Sequence, residues 1–595
     1  MKLLLRLLRF LAVLSWQTDR RRLIVGGSLL LAGYLAAPVV PLMLKGLTNA
    51  ALDGHGGAAG GWATVAAMAL ICELMLGHFA HLSYFELGEL IELALNRRLL
   101  ARVNGAAGLA AFDRPELADD LDLLRQDVVR MRDTVHASLS LVCLAAQLLL
   151  TAVLLAELQP ALLALPLAAV IPVLTGKRAE RAVDTGRQQS APATGAIRHL
   201  RGLAASAAAQ KEIRIAGAQG FLLAKHQGLH RQVSAIQAAA YRRQAVLRSA
   251  GQLCFALAYA GSLLLVFRQA QQGQASVGDV VLVVTLAGQV SGQVSTGLDL
   301  LSKVYAAALG IARFERVTGL LAGPPQERVA TVLAPSALTG GITLREVSFA
   351  YPGGREPVLR DMDLTLPAGR SIALVGENGA GKSTLIKLLN GLYQPTSGSI
   401  LLDGRPLAEV GAQSWHARTA NLFQDFARVN LTAQQSIGIG QLDRIDSAEA
   451  VHRAVELAGA ADTVASLPER LDSLLGKEYG PGTELSGGQW QRIGLARTLM
   501  RPEALLMCLD EPASALDPQA EALLCDAYQH AAAHMSATVG GITVFVTHRL
   551  STVRMADTIV LLEEGRVCET GSHHELLALG GRYAELFALQ SKVYT

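Results

Sequence analysis

The run SIALVGENGAGKSTLIKLLNGLY, Ser371 to Tyr393, decides how the rest of the chain is read. SIALVG is a short apolar stretch of strand type, and LIKLLNGLY carries apolar residues at helical spacing. Between them lies GENGAGKST, Gly376 to Thr384. Strand, glycine loop, helix is the setting in which the GxxxxGKS spacing acquires a mechanism. Gly376, Gly379 and Gly381 let the backbone bend until its amides face phosphate oxygens, and Glu377, Asn378 and Ala380 complete the loop. Lys382 then reaches the β- and γ-phosphates of a nucleotide, the Ser383 hydroxyl is placed for Mg2+, and Thr384 opens the helix.

The residues around this loop belong to two kinds of protein. At 595 residues the chain exceeds a single core, so two or more domains are expected. Hydrophobic residues make up 51% and charged residues 17%, against about 25% charged in soluble domains. The average hides a division, because apolar runs crowd the first half while β-type runs and amphipathic helices alternate from Ile342 onward. About 20 apolar residues cross a bilayer. Six runs qualify, at 23–44, 62–88, 138–157, 160–176, 246–267 and 277–298. ELQP alone separates the third from the fourth, which predicts a tight helical hairpin, and Pro38, Pro41, Pro166 and Pro172 predict kinks.

Charge sets the orientation. Seven Arg lie between Arg97 and Arg132 and twelve Lys or Arg between Lys177 and Arg243, while the other loops hold almost none. The positive-inside rule therefore puts both termini and the two long loops in the cytoplasm of a multi-pass inner (plasma) membrane protein. Those loops read as helical extensions of the spans, interrupted at Phe112–Leu117 and near Gln210–Gly217. At the N-terminus, Leu3, Leu4, Leu7, Leu8 and Leu11 recur at helical spacing with Arg6 and Arg9 between them. No small-residue cleavage site follows, so this is an amphipathic helix on the membrane surface rather than a signal peptide. A net charge of +3 and a pI near 8.5 are too mild to argue for nucleic acid. The six cysteines form no CxxC pair and no metal spacing, so they read as reduced packing residues.

Two further elements complete the chemistry of the phosphate loop. LLMCLDE, Leu505 to Glu511, is a buried-type strand ending in two acids. Such a pair is ordinarily a helix cap. Downstream of a phosphate loop, Asp510 is placed to hold the metal's shell and Glu511 to polarise a water for in-line attack. LSGGQ, Leu485, Ser486, Gly487, Gly488 and Gln489, precedes a helix and offers a second anion site at its N-terminus. One phosphate loop and one separate anion site per chain make sense when two chains face each other.

Together these residues resemble the ATP-binding cassette family. FAYPG carries Tyr351, which the resemblance implies stacks on adenine, and NLFQD carries Gln424, the coupling glutamine between metal and membrane domain. SALD carries Asp517 of the dimer-crossing loop, and TVFVTHRLST carries His548, the switch histidine at the γ-phosphate. Read singly, Tyr351, Gln424 and His548 would be packing or surface residues. The resemblance implies Glu511, His548 and Gln424 in catalysis, with Ser383, Gln424 and Asp510 about Mg2+. It also implies that the segments near 112–117 and 210–217 are coupling helices, the second seated on the partner's nucleotide domain. One departure stands out: exporters carry Glu five residues before the signature Leu, where this chain has Gly480, and Glu478 is the substitute nearby.

The expected fold is a membrane α-helical bundle of six spans with long cytoplasmic extensions, fused to an α/β P-loop domain of the ATP-binding cassette type. Residues 1–22 form the interfacial helix, 23–317 the membrane domain, 318–341 a linker and 342–595 the nucleotide-binding domain. The expected activity is ATP-driven export of a peptide, lipid or amphipathic small molecule, the chain acting as a half-transporter. A homodimer and a heterodimer with a degenerate partner both fit. The alternatives are an importer on an exporter-type fold and an ATP-gated channel or regulator. A soluble cassette ATPase is excluded by the six spans. Glu73 in the second span falls near the bilayer midplane, where a carboxylate costs about 2.5–3.5 kcal/mol on insertion scales. With His78 it is expected to line the substrate cavity and to favour an amine or other polar donor. A hydrogen bond from Glu73 to another span is the structural alternative.

Overall fold

A computed structural model of the chain describes residues 2–105, 108–321, 332–354, 356–477, 480–511, 518–547 and 553–591. It divides into two compact units, one of Met1–Ala101 with Asp120–Val317, the other of Arg102–Asp119 with Thr318–Thr595.

The first unit is all helical. Its elements are α1 (Lys2–Ala36), α2 (Val39–Leu52), α3 (Gly56–Asn104), α4 (Pro115–Leu158), α5 (Ala164–Ala168), α6 (Val170–Ala205), α7 (Ala207–Ile215), α8 (Gln219–Gln271) and α9 (Val277–Leu321). Among the described residues six helical stretches are long and apolar enough to cross a membrane, Leu7–Leu52 to Val277–Leu321. Pro38 falls at a break and Pro166 in a short separate helix, while Pro41 and Pro172 lie within the first turns of α2 and α6. Pro38 separates α1 from α2, and the chain after Gln159 passes through a single 3-10 turn and the short α5 before α6 begins. The predicted hairpin is there: Gln159 N–H donates to Leu155 O at 3.0 Å and Pro160 opens the return.

The N-terminal helix departs from expectation on one point. It breaks at Asp19, whose carboxylate accepts from the backbone amides of Arg21 and Arg22, so a separate helical segment precedes that residue. Its apolar face is nevertheless covered by protein, since Leu7, Leu11 and Leu14 are 2–3% exposed. The leucine spacing identified the buried face, and helical periodicity alone does not say whether lipid or protein covers it.

Close packing explains how α6 and α8 run against each other. A Cβ on Gly186 would lie 2.7 Å from the Ala240 Cβ, so only glycine permits that approach. At the far end of α4 and α9, Arg313 pairs with Asp120 and Asp127, and Arg316 Nη1 reaches Asp120 at 3.1 Å. Asp120 is 8% exposed. Both arginines hold Asp120, so removing the two together would strand a buried carboxylate, which costs more than the intact pairing contributes.

The second unit holds two sheets. The smaller is antiparallel, in the order β2 (Leu359–Pro367), β1 (Gly341–Phe349), β4 (Ser397–Leu402) and β5 (Arg405–Pro406). The larger runs β10 (Arg566–Gly571), β9 (Thr558–Glu563), β3 (Ser371–Val375), β8 (Ile542–Val546), β7 (Leu506–Asp510) and β6 (Thr419–Leu422). In it β9, β3, β8, β7 and β6 are mutually parallel, and β10 pairs antiparallel at the edge. Strands β7 and β8 are buried along their whole length, which is why their sequences are continuously apolar rather than alternating. Residues of the 102–119 segment join this unit. Leu109 N–H donates to Leu392 O at 2.9 Å, and the Tyr393 hydroxyl donates to Asp113 at 2.6 Å. Phe112–Leu117 is a turn running into the start of α4 rather than a separate helix, whereas the second expected interruption is a helix, α7.

Candidate functional site

In parallel α/β sheets, ligand sites form beyond the carboxyl ends of the strands. Here the phosphate loop leaves the end of β3, Asp510 ends β7 with Glu511 next, and Gln424 follows the end of β6. Topology therefore brings to one edge residues that are more than a hundred positions apart in sequence.

The loop turns into the helix Lys382–Leu389 at Gly381, whose φ of 99° is strained for any residue with a Cβ. Lys382 is 7% exposed, and its ammonium donates to the carbonyls of Gly376 and Glu377, both at 2.8 Å. The cation is thus held against the loop it serves. Burial pushes its pKa down, opposed by the nearby charges of Glu511 and Asp510. Asp510 is 5% exposed, and burial raises its carboxyl above the usual range. The Ser383 hydroxyl hydrogen bond and the Lys382 charge work against that rise, while Glu511 and Asp425 add to it. A buried and a half-buried acid beside one buried ammonium leave room for a further cation, and the Ser383 hydroxyl, Gln424 amide and Asp510 carboxylate form an all-oxygen donor set of the kind Mg2+ takes.

Glu511 sits in left-handed backbone at φ 50°, which costs a non-glycine residue about 1–2 kcal/mol. Its N–H donates to Val546 O at 2.9 Å, and its carbonyl accepts from Gln491 Nε2 at 3.4 Å. Those bonds hold the left-handed conformation in place. The Gln424 amide donates to the carboxylate at 3.2 Å.

Tyr351 is half-buried. Its hydroxyl lies 3.0 Å from Thr384 Oγ1, its ring meets Phe349 and Tyr393 edge-on, and the Lys387 ammonium is 5.6 Å from the ring centroid. Ser486 N-caps the helix Gly487–Leu499 in a full capping box with Gln489, and Leu485 is buried below it. Ser486 and Gly487 remain exposed, so the helix's N-terminal amides face outward from this chain. Asp517 and His548 lie outside the described residues, as does Glu478. At Gly480 an added Cβ would make only ordinary contact, with Leu474 at 3.5 Å, so the backbone does not require glycine there.

In the helical unit, Glu73 is half-buried on α3, and His78 is exposed with Nδ1 against Leu74 O at 3.0 Å. Five residues apart on one helix, the two point about 140° apart, so they do not form a pair. His81 instead engages Tyr84, Nδ1 to hydroxyl at 2.6 Å.

Three participants carried no sequence signal. Arg582, near the C-terminus, pairs with Glu377 of the phosphate loop at 3.0 Å and with Glu563 and Glu585. Tyr393 joins Asp113 to the Tyr351 ring, and Gln491 braces the Glu511 carbonyl. Each acts across more than a local window, where no spacing rule reaches.

Comparison with known proteins agrees with this geometry. A family model described as ABC transporter matches residues 359–514, and one described as ABC transporter transmembrane region matches residues 23–294. The chain is 33% identical to the ATP-dependent lipid A-core flippase of Chromobacterium violaceum over 65% of its own length and 64% of that protein's. It is 30% identical to the subtilin transport ATP-binding protein SpaT of Bacillus subtilis, over 62% and 58% respectively. The chain thus spans under two thirds of the length of these relatives. The structure of a bacterial Atm1-family ABC exporter with ATP bound superposes with a TM-score of 0.78 at 25% identity, covering 96% of this chain and 99% of that one. With both its helical and its nucleotide-loop portions matched, the chain belongs to the ABC transporter family.

Proposed function

We propose that this chain is one half of an ATP-driven exporter, moving a peptide, lipid or amphipathic small molecule out of the cytoplasm by alternating access. The observation that carries the reading is the convergence of Lys382, Asp510, Glu511 and Gln424 at one sheet edge, in a chain with six helices long enough to span a membrane. Lys382 and the loop amides bind the phosphates of ATP. Glu511 takes the proton of the attacking water and Gln424 orients it. Tyr351 supports the adenine, and His548 contacts the γ-phosphate. Ser383, Gln424 and Asp510 would hold Mg2+, which supplies charge neutralisation at the phosphates. Asp517, with Leu485, Ser486, Gly487, Gly488 and Gln489, completes the site of a second copy or a related half-transporter.

The exposed N-terminus of the Ser486-capped helix supports a site completed between chains. Support for a partner also comes from α7 and the start of α8, where Ile215 is 89% and Phe221 72% exposed. Apolar groups this exposed on an arginine-rich extension want a protein surface, and the partner's nucleotide unit is the one we assign. The names of the flippase and of the Atm1-family exporter support export. The arginine-rich loops support an inner-membrane location with both termini in the cytoplasm. Glu73 lines the pathway on the strength of its cost in a span. The test is ATP turnover by the purified protein in lipid. Wild type should hydrolyse ATP, while Glu511→Gln should bind it, retain two nucleotides per dimer and turn over at least about 100-fold more slowly. Near-normal turnover by that variant would remove Glu511 as the base.

A further inference from the structure

The last membrane-length stretch contains a tandem repeat, GQVSGQVS, Gly288 to Ser295. A four-residue repeat on a helix stacks like residues along one face. The valines go inward: Val290 and Val294 belong to the apolar core of the bundle. The serines do not. Ser291 and Ser295 line a cavity of about 90 Å³ between α6, α8 and α9, together with Gln252, Phe255, Arg248 and Asp299. Residues 248, 252 and 255 are spaced one helical turn apart on α8, so two helices present matched polar faces to the same space. Serine, glutamine and charged side chains that face one space at that depth mark a pathway for polar cargo.

The charges give the cavity a sign. Arg248 Nη2 donates to Glu180 Oε1 at 2.5 Å, and Gln244 also donates to that oxygen at 3.0 Å. Asp299 Oδ1 lies 3.9 Å from Arg248 Nη2, with its side chain 69% exposed. One guanidinium therefore faces two carboxylates, and its close partner is Glu180. Asp299, paired at the longer distance and the more exposed of the two, can take a second cation, beside hydroxyl and amide groups that can accept further hydrogen bonds and beside the apolar face of Phe255. At about 10–15 Å³ of such space per water molecule, a volume of about 90 Å³ takes several waters, enough for the end group of a ligand.

We infer that this cavity is a substrate subsite that receives the protonated amine end of an amphipathic molecule, with Asp299 as its counter-ion and Ser291, Ser295 and Gln252 as hydrogen-bond acceptors. The inference rests on the exporter reading, and it names the chemistry of the cargo. It also gives the cavity a logic for release: an ammonium held by one exposed carboxylate is bound weakly enough to leave once the helices around it move.

The test uses full-length protein in phosphatidylcholine nanodiscs and two dansyl-labelled probes of equal chain length, one ending in a primary amine and one in an alcohol. Fluorescence anisotropy should show the amine binding about tenfold more tightly, the range of a charge-assisted hydrogen bond. Asp299→Asn should erase that preference while leaving alcohol binding in place, which also reports that the variant is folded. Arg248→Gln should widen the preference, because it frees both carboxylates. Equal affinities in wild type, or an amine preference that survives Asp299→Asn, would overturn the subsite. Where Asp299→Asn fails to fold, an amine preference that does not rise in Arg248→Gln overturns it as well. ATP hydrolysis in the same discs separates the two claims. Hydrolysis without amine preference sinks the subsite alone, and amine preference without hydrolysis sinks the exporter reading alone.

Discussion

The side-chain amide of Gln424 donates to the Glu511 carboxylate across 3.2 Å, joining the segment after β6 to the residue after β7. These segments belong to strands at one edge of the sheet, so a shift in either is felt at the acid that is assigned to activate water. Gln424→Ala should therefore lower kcat by about 10–100-fold through misplacement of the carboxylate, with a smaller change in KM for ATP. Steady-state kinetics in lipid checks this. An unaltered kcat would mean that Glu511 is oriented by other contacts.

The placement of Ser486 on an exposed helix start predicts that each site is made by two chains. A dimer with Glu511→Gln in one protomer and Ser486→Arg in the other places both defects in one site and should keep about half of wild-type turnover, a loss of only about 0.4 kcal/mol in apparent barrier. A dimer with both changes in the same protomer and none in the other spoils both sites and should be inactive. Equal activity of the two arrangements would argue against shared sites.

Tyr393 ties the 102–119 segment to the ring that abuts Tyr351, and its hydroxyl is held well above the ordinary value by burial and by the Asp113 carboxylate. Tyr393→Phe keeps the ring and deletes that bond. Hydrogen exchange in the full chain should then speed up across residues 108–113, most at Leu109, whose amide is bonded to Leu392. A loss of about 1–3 kcal/mol in local protection is expected for a bond to a charged group. Unchanged exchange there would show that the backbone bond alone holds the segment.

Asp403 makes the acid side of stability testable. Its carboxylate accepts from the amides of Thr339, Gly340 and Gly341 at 2.9, 2.7 and 2.7 Å, anchoring the start of β1. Partial burial opposes ionisation, but the three amides outweigh it and leave the folded pKa below the ordinary value of 3.8. A depressed carboxyl stabilises the fold above its unfolded pKa, and that contribution is lost as pH falls through the folded value. Asp403→Asn should cost about 1 kcal/mol at neutral pH and flatten the decline below pH 4, measured as exchange protection of β1. A decline as steep as in wild type would place the titration elsewhere.

What could be read from the sequence was what chemistry confines to neighbouring residues. The phosphate loop must be contiguous to wrap an anion, so Gly376–Thr384 announced itself, and the buried strand ahead of Asp510 did so by its apolar run. ELQP and Pro38 marked real breaks because proline acts on its own backbone. The Arg582–Glu377 pair and the Tyr393–Asp113 bond span hundreds of residues and left no trace in spacing. The leucine face of α1 was visible, but its covering was not, because lipid and protein ask for the same side chains. Glu73 and His78 show a different limit of reading along a span. Both are polar residues of one span, yet the helical period turns them apart.

The most direct measurement of the central claim is movement of a fluorescent amphipathic amine across inside-out membrane vesicles that carry the protein, with ATP supplied outside. The account predicts accumulation inside the vesicles against a gradient, dependent on hydrolysable ATP and absent with Glu511→Gln. ATP-dependent loss of preloaded amine from the vesicles would contradict export. Equilibration that stops at equal concentrations would contradict pumping altogether.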